Sequence, residues 1–201
     1  MTWIRAIPPG NAQGDLAEIY RTIASARGGV ADVHQAQSLN PRALRAHLDL
    51  YRAVVFQRST LSRMSRERIA VVVSAAHRCD YCIAHHSEAL RRLGDDPSVV
   101  DTLGRGELPE SLRLADLALL RWARRGATEP ERASVSDVET LRSHGFGDRS
   151  ILDAALTIAY FSFVNRITLL LGVRLEEDYA KTCGPIAGDP PERPEIPTTS
   201  R

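Results

Sequence analysis

The chain lacks the features that define several large classes of protein. Its 201 residues contain three cysteines, too few for the disulfide framework of a small secreted domain. No stretch reaches the roughly 18 apolar residues of a membrane-spanning helix, and the start MTWIRAIPPGNAQG has no apolar core of a signal peptide. Strand-like alternation, a glycine-rich phosphate loop and tandem repeats are also missing. We therefore expect a cytoplasmic protein whose thiols are reduced at rest.

An excess of charge of either sign is missing too. Twenty-six basic residues against 25 acidic ones give a formal net charge of +1, so electrostatics favours neither nucleic acid nor a membrane as a partner. The composition itself, 43% hydrophobic and 25% charged, is that of a globular protein with a sizeable core.

The spacing of apolar residues predicts an all-α protein. Leu44, Leu48, Tyr51 and Val55 recur at helical intervals after an Asn-Pro pair that suits a helix start. Similar patterns predict a helix that begins at Ser62 and others over 15–26, 41–56, 79–93, 97–103, 109–124, 136–144 and 148–171. We expect one domain over residues 1–183 with an N-terminal arm over 1–14, and a proline-rich flexible tail or arm over 184–201.

The residues with chemical potential concentrate in SAAHRCDYCIAHHSEALRRLG, residues 74–94. In a helix, Cys79, Cys82 and His86 are three and four positions apart and share one face. Cys79 falls near the helix N-terminus, where unpaired N–H groups and the helix dipole favour a thiolate. Glu67 lies on the preceding helix, and an antiparallel hairpin would point it at the cysteines. In a largely apolar pocket we expect burial to raise its pKa, so that it exchanges protons near neutral pH.

These groups together suit the reduction of a hydroperoxide. That reaction needs a low-pKa thiol, a second thiol to resolve the sulfenic acid, and a proton relay for the leaving alkoxide. A zinc site is the alternative use of two thiols, an imidazole and a carboxylate. Structural zinc ligands usually come from separated segments, whereas three of these four lie on one helix, so we expect no bound metal.

The pattern Glu67, eleven residues, Cys79-Asp80-Tyr81-Cys82, three residues, His86 resembles the E-x(11)-C-x-x-C-x-x-x-H motif of the AhpD-like alkylhydroperoxidases. These belong to the carboxymuconolactone decarboxylase superfamily. SLNPRALRAHLDLYRAVVF (38–56), the His85-His86 pair and AYFSFVNRITLLLGV (159–173) resemble its peroxidase-related branch. The resemblance covers roughly residues 1–180.

The resemblance implies an AhpD-like helical fold, with the Cys-x-x-Cys at a helix N-terminus, that assembles as a homo-oligomer, commonly a trimer or hexamer. It implies that Cys82 is the peroxidatic cysteine and Cys79 the resolving one, with Glu67 and His86 as the proton relay. It also implies no stored cofactor, and recycling by a dithiol donor such as a lipoyl-type or thioredoxin-like protein. Tyr81 stands where the best-characterised members have histidine.

The other tyrosine, cysteine and histidine residues near the motif or elsewhere are expected to have auxiliary or structural roles. Tyr81 and His85 are possible auxiliary residues: Tyr81 could donate a hydrogen bond or pack, and His85, about 100° round the helix from His86, suits packing or an interface. We expect Cys183 to be a buried or idle thiol. The remaining histidines are expected at helix ends, at the surface or between helices: His34, His47, His77 and His144.

Two further functions stay open beside the hydroperoxide reductase. One is a general thiol–disulfide oxidoreductase with weak peroxidase activity, which the same dithiol would serve. The other is a non-enzymatic oligomeric scaffold that responds to redox state or metal. Neither nucleic acid nor a membrane is expected as a partner.

Overall fold

A computed structural model describes residues 2–183, and every regular element within that range is helical. The α-helices are α1 Gly14–Arg27, α2 Asp32–Gln35, α3 Pro41–Val55, α4 Arg63–Ala76, α5 Asp80–Arg92, α6 Pro97–Gly104, α7 Leu114–Thr128, α8 Val135–Ser143 and α9 Asp148–Leu170. Short 3₁₀ turns lie at Pro9–Asn11, Pro130–Arg132 and Tyr179–Thr182. The all-α prediction is confirmed. No helix in the described range is both long and apolar enough to cross a membrane.

Helix α4 is the centre of the domain. It packs against α5, α6, α7 and α9, and six consecutive residues, 69–74, are buried on all of its faces. The run IAVVVS makes this possible, because small and β-branched side chains let neighbouring helices approach from every side. Each fully buried valine or isoleucine contributes roughly 1.5–3 kcal/mol, so α4 is a rigid support for the polar residues in its first turn.

A tight turn joins α4 to α5 and places the first cysteine. His77 ends α4, Arg78 adopts the left-handed conformation with φ +56°, and the Cys79 N–H donates to the Ser74 carbonyl over 2.9 Å. Cys79 then becomes the N-cap of α5. Because only three residues separate the helices, α5 folds back along α4, which is the antiparallel hairpin that the sequence suggested.

Most helix predictions agree with the structure. The Asn40 side chain accepts from the Ala43 N–H at the start of α3, and Ser62 does the same for Ser65 at the start of α4. The predicted start of α7 at residue 109 is wrong. The chain first makes a turn at Pro109, and Arg113 is extended with ψ 149°, so the helix begins at Leu114.

The N-terminal arm packs against the end of α9. The Trp3 N–H donates to the Leu171 carbonyl over 2.9 Å. Its indole covers Gly172, where a Cβ would lie 2.2 Å from Trp3 Cε2, so this contact requires glycine. The predicted tail over 184–201 lies outside the described residues.

Candidate active site

The two motif cysteines lie side by side at the start of α5. Both are free thiols and both are buried. Their Sγ atoms are 3.0 Å apart, within hydrogen-bond distance, and Cys82 Sγ also lies 3.7 Å from Thr168 Oγ1 on α9. The spacing of three residues on a helix therefore brings the sulfurs close enough to share a proton and to form a disulfide after a small movement.

The shared hydrogen bond separates the pKa values of the two thiols. A hydrogen bond from Cys82 lowers the pKa of Cys79, and the backbone N–H of Cys82 at the helix N-terminus lowers it further. The same hydrogen bond, together with burial, raises the pKa of Cys82 well above its ordinary value. The first thiol to ionise is therefore Cys79, and Cys82 keeps the proton.

Glu67 is fully buried and bonded on both oxygens. Oε2 lies 2.7 Å from His86 Nδ1, and Oε1 accepts from Arg63 Nε over 3.0 Å. Burial raises its pKa, but the positive charge of Arg63 one turn earlier and the contact with His86 outweigh burial and lower the pKa to about 2. The expectation of a raised pKa is wrong, because Arg63 supplies a charge that an apolar pocket would lack. Glu67 is ionised at neutral pH, so it accepts the Nδ1 proton of His86 and leaves Nε2 as the other exchangeable nitrogen.

A cavity of about 60 Å³ lies beside these groups, and it reaches one cysteine of the pair. Cys82 lines it, as do Glu67 and His86, whereas Cys79 does not. The remaining lining residues come mainly from α1 to α5 and α9: Arg27, Ala31, Val33, His34, His47, Tyr51, Arg63, Tyr81, His85, Ala89, Tyr160, Phe161, Val164, Thr182 and Cys183. A small molecule in this cavity would therefore meet Cys82 and His86, whereas Cys79 does not line the cavity.

A second cluster closes one side of the cavity. The Tyr81 hydroxyl donates to Glu176 Oε1 over 3.0 Å and accepts from the Val33 N–H over 3.2 Å. The other oxygen of Glu176 lies 3.3 Å from His85 Nε2, and His85 Nδ1 lies 3.3 Å from Cys183 Sγ. Tyr81 and His85 therefore lie together beside the cavity, and both contact Glu176, while His85 also contacts Cys183; the helical spacing of the motif gives no sign of either partner.

The electrostatics of this cluster holds its protons in fixed places. Burial raises the pKa of Glu176, but the hydrogen bonds from His85 and the Asp32 backbone N–H lower it to about 2. Burial raises the pKa of Cys183 to about 11 and lowers that of His85. Burial and the Glu176 charge raise the pKa of Tyr81 well above its ordinary value. At neutral pH, Glu176 is ionised and its partners are neutral donors.

Two further histidines, His34 and His47, are buried between helices in the cavity wall, which is one of the two positions expected for them. His47 Nδ1 lies 3.0 Å from Gln37 Oε1, and His47 Nε2 lies 2.7 Å from the Tyr160 hydroxyl. Since the Gln37 amide nitrogen donates to Val33, its oxygen accepts from Nδ1, and Nε2 of His47 accepts from Tyr160. Burial lowers the pKa of His47 to about 4 and that of His34 well below its ordinary value, so both are neutral. The positions of apolar residues in α2, α3 and α9 do not predict that these histidines and Tyr160 meet in the cavity wall.

The polar residues Asn165, His77 and His144 lie outside the cavity, and their hydrogen bonds connect helices or complete a helix end. Asn165 is buried on α9; its Oδ1 accepts from Ser74 Oγ over 3.2 Å, and its Nδ2 lies 3.2 Å from His77 Nδ1. His77 Nε2 in turn bonds the Ala127 carbonyl over 3.0 Å, which ties α4, α7 and α9 together. His144 bonds the Thr140 carbonyl at the end of α8, as predicted for a helix end. Among residues 2–183, no group of three or more His, Cys, Asp or Glu side chains is placed to hold a metal ion.

Comparisons with known proteins agree with this architecture. Residues 41–125, which include both cysteines, Glu67 and His86, match the model of the carboxymuconolactone decarboxylase family. An AhpD-core, peroxidase-related protein from Ralstonia eutropha JMP134 is 25% identical, with a TM-score of 0.82 over 92% of this chain and 97% of its own. A peroxidase-related protein from Silicibacter sp. TM1040 is 28% identical, with a TM-score of 0.80 over 91% of this chain and 96% of its own.

A more distant structure shares the fold alone. The debrominase Bmp8, solved with 2,3,4-tribromopyrrole, is 18% identical, with a TM-score of 0.71 over 91% of this chain and 97% of its own. No curated protein matches the chain by sequence. The all-helical architecture, the family match across the dithiol hairpin and the two peroxidase-related structures agree: the chain has the AhpD-like fold, and its residues 41–125 form a domain that matches the carboxymuconolactone decarboxylase family.

Proposed function

We propose that this protein is a thiol-dependent peroxidase that reduces organic hydroperoxides, and also hydrogen peroxide, through a Cys82–Cys79 dithiol–disulfide cycle. The observation that carries the proposal is one arrangement: two free thiols 3.0 Å apart, of which Cys82 lines a small cavity together with the Glu67–His86 pair. Reduction of a peroxide by a dithiol requires an accessible sulfur, an adjacent resolving sulfur and a proton donor. All three are present within two turns of α5 and the facing turn of α4.

The cycle begins with a proton transfer between the sulfurs. The Cys79 thiolate takes the Cys82 proton across their hydrogen bond, so Cys82 becomes the thiolate that faces the cavity. Cys82 attacks the outer oxygen of the hydroperoxide, the O–O bond breaks, and Cys82 is oxidised to a sulfenic acid. The leaving alkoxide takes the proton that Cys79 received from Cys82, passed on through His86 Nε2 or water, and departs as the alcohol, so that Cys79 is a thiolate again.

The second half of the cycle forms the disulfide. Cys79, again a thiolate, attacks the Cys82 sulfenic sulfur, the S–O bond breaks, and the hydroxide leaves as water with a proton drawn from solvent. An external dithiol, a lipoyl-type or thioredoxin-like protein, then reduces the Cys79–Cys82 disulfide and is itself oxidised. No cofactor takes part in these steps.

Glu67 and His86 handle the protons with unequal roles. Glu67 stays ionised because of Arg63, so it is a positioning residue that holds the His86 ring through Nδ1. The ring also packs edge-on against Phe161, with centroids 4.4 Å apart. Because the Nδ1 proton faces Glu67, His86 Nε2 first accepts a proton, from the dithiol or from water, and then passes it to the leaving group, directly or through a water molecule. Tyr81 is committed to Glu176 and Val33, so its hydroxyl supports the cavity wall and takes no part in the relay.

The test is rapid mixing of the fully reduced protein with tert-butyl hydroperoxide. Wild type should consume peroxide much faster than free cysteine does and form a Cys79–Cys82 disulfide. Cys82→Ser should abolish consumption, and Cys79→Ser should stop after one turnover with a sulfenic acid on Cys82 that dimedone traps. Cys183→Ser is the matched control and should behave as wild type. Full activity of Cys82→Ser would refute the assignment of the attacking sulfur.

The peroxide rate and three further measurements separate the alternative functions. A rate with peroxide no better than that of free cysteine, together with rapid reduction of a disulfide substrate, would identify a general thiol–disulfide oxidoreductase. Loss of helical structure in a chelator, with near-stoichiometric zinc by elemental analysis, would identify the redox- or metal-responsive scaffold. Release of bromide from a brominated pyrrole would indicate chemistry like that of the debrominase, with which this chain shares the fold.

An exposed apolar stripe on α9 supports a homo-oligomer. Leu152, Leu156, Phe163 and Leu170 lie on one face and are 41–74% exposed. Monomers rarely leave such a stripe uncovered, so we propose that α9 packs against another subunit of a trimer or hexamer. Reduced thiols at rest fit a reducing compartment such as the cytoplasm.

A further inference from the structure

The cavity contains a cation that the proposed cycle does not use. Arg27, the last residue of α1, lines the cavity opposite the dithiol hairpin. Its Nη2 donates to the Tyr51 hydroxyl over 2.6 Å, and its guanidinium lies over the Tyr51 ring, 4.9 Å from the centroid. Within residues 2–183, Arg27 forms no ion pair, and its buried Nε has no hydrogen-bond partner.

The carboxylates near the cavity are already occupied. Glu67 accepts from Arg63 and His86, and Glu176 accepts from Tyr81 and the Asp32 backbone and contacts His85. A partly buried positive charge attracts an anion more strongly than one at the surface, because water screens it less. The described part of the chain therefore provides no carboxylate that pairs with Arg27.

Two other polar groups beside Arg27 also lack partners. His34 lines the cavity, is 4% exposed, and its Nδ1 has no hydrogen-bond partner among the described residues. The Tyr51 hydroxyl accepts from Arg27 and keeps its own proton free to donate. By contrast, Tyr160, the next hydroxyl in the wall, already donates to His47.

We propose that Arg27, Tyr51 and His34 form a binding site for a small carboxylate inside the cavity that reaches Cys82. Arg27 Nε–H, the Tyr51 O–H and His34 Nδ1–H give three donors for two carboxylate oxygens, and the Arg27 contacts are charge-assisted. Burial holds His34 neutral, and the Arg27 charge lowers its pKa further, so the histidine acts as a neutral donor.

The size of the cavity limits the ligand. A water molecule needs roughly 10–15 Å³ on this measure, so a cavity of about 60 Å³ has room for a few non-hydrogen atoms, the size of a short organic acid. If the proposed function holds, this site also narrows its substrate class from organic hydroperoxides in general to short hydroperoxides that carry a carboxylate. The carboxylate on Arg27 would leave the peroxide end of the molecule to face Cys82.

Binding is tested with two probes of the same size and different charge, propionate and propionamide. Calorimetric titration of the reduced wild-type protein should give binding of propionate at least about tenfold tighter than of propionamide. Arg27→Gln should remove that preference, and Tyr51→Phe, which keeps the ring that packs on Phe56 and Tyr160, should reduce it several-fold. Arg21→Gln, an exposed arginine on the same helix, should leave the preference unchanged.

Equal binding of the two probes by wild type would overturn the proposal without recourse to any variant. Loss of the preference in Arg21→Gln as well as in Arg27→Gln would also overturn it, because it would indicate a general effect of surface charge. The outcome is separate from that of the peroxidase assay, which uses the uncharged tert-butyl hydroperoxide. Propionate binding without peroxide consumption would retain the carboxylate site and reject the peroxidase; peroxide consumption without a preference for propionate would do the reverse.

Discussion

Replacing Glu67 by glutamine should change how the stability of this protein depends on pH. Burial raises the pKa of Glu67, but Arg63 and His86 lower it from 4.5 to about 2. A depressed pKa in the folded state stabilises the protein above the unfolded pKa, and this stabilisation is lost as the pH falls through the folded pKa. At about 1.36 kcal/mol for each pKa unit, ionised Glu67 contributes on the order of 3 kcal/mol at neutral pH.

The expected result is a difference in the free energy of unfolding between wild type and Glu67→Gln that becomes smaller as the pH falls. Glu67→Gln should be less stable than wild type by about 3 kcal/mol at pH 7, because it leaves Arg63 without its buried counter-charge. Linkage predicts that wild type loses about 2 kcal/mol of this advantage by pH 3. Glu176, whose pKa is also about 2, titrates in both proteins, so its contribution cancels in the difference.

The measurement is urea unfolding followed by far-ultraviolet circular dichroism at several pH values between 7 and 3. Glu139→Gln is the matched control, because Glu139 is an exposed partner of Arg142, and exposed pairs contribute little. Its curve should run parallel to that of wild type. Parallel curves for wild type and Glu67→Gln would refute the ionised state of Glu67, and with it the role of Glu67 as the group that positions His86.

Three further predictions concern other parts of the molecule. Tyr81→Phe should lower the free energy of unfolding by about 1–3 kcal/mol, measured in urea, because Glu176 loses a donor and the Val33 N–H loses its acceptor; an unchanged value would mean that solvent replaces both contacts. Arg78→Gly should raise the free energy of unfolding by up to about 1 kcal/mol, because glycine adopts φ +56° without strain, whereas Arg78→Ala should not. Phe163→Glu should dissociate the oligomer in sedimentation velocity, and a variant that sediments like wild type would exclude this part of α9 from the interface.

Helix capping and helical spacing, which involve residues close in sequence, were sufficient to predict the hairpin of α4 and α5 that carries the two cysteines. Asn40 and Ser62 cap their helices as their side-chain chemistry predicts, and the steps of three and four between Cys79, Cys82 and His86 place them on one face of a real helix. Glu67 could be placed opposite them because the turn between α4 and α5 is short. These features depend on contacts between residues that are near in sequence, and so periodicity and capping predict them.

The environment of the hairpin depends on distant residues and was not predicted. Glu176 and Cys183 come to Tyr81 and His85 from more than 90 positions away, and no helical spacing connects them. The pKa of Glu67 is a different case, because Arg63 lies one turn earlier on the same helix. The i, i+4 spacing of an arginine and a glutamate was a visible signal for an ion pair, and it contradicted the apolar pocket that was expected.

The two pairs of titratable groups at the site are arranged in the same way, and this suits a reaction that consumes protons. In each pair one member is stabilised as the anion, Cys79 by the helix N-terminus and the Cys82 thiol, and Glu67 by Arg63. The other member, Cys82 or His86, shares a hydrogen bond with that anion, and both of these residues line the cavity. Separated pKa values within a pair define which group gives a proton and which takes it. In the proposed cycle, Cys79, the first thiol to ionise, is therefore the base that activates Cys82, and the proton that it takes is available to the leaving alkoxide, so the first half of the cycle draws no proton from solvent.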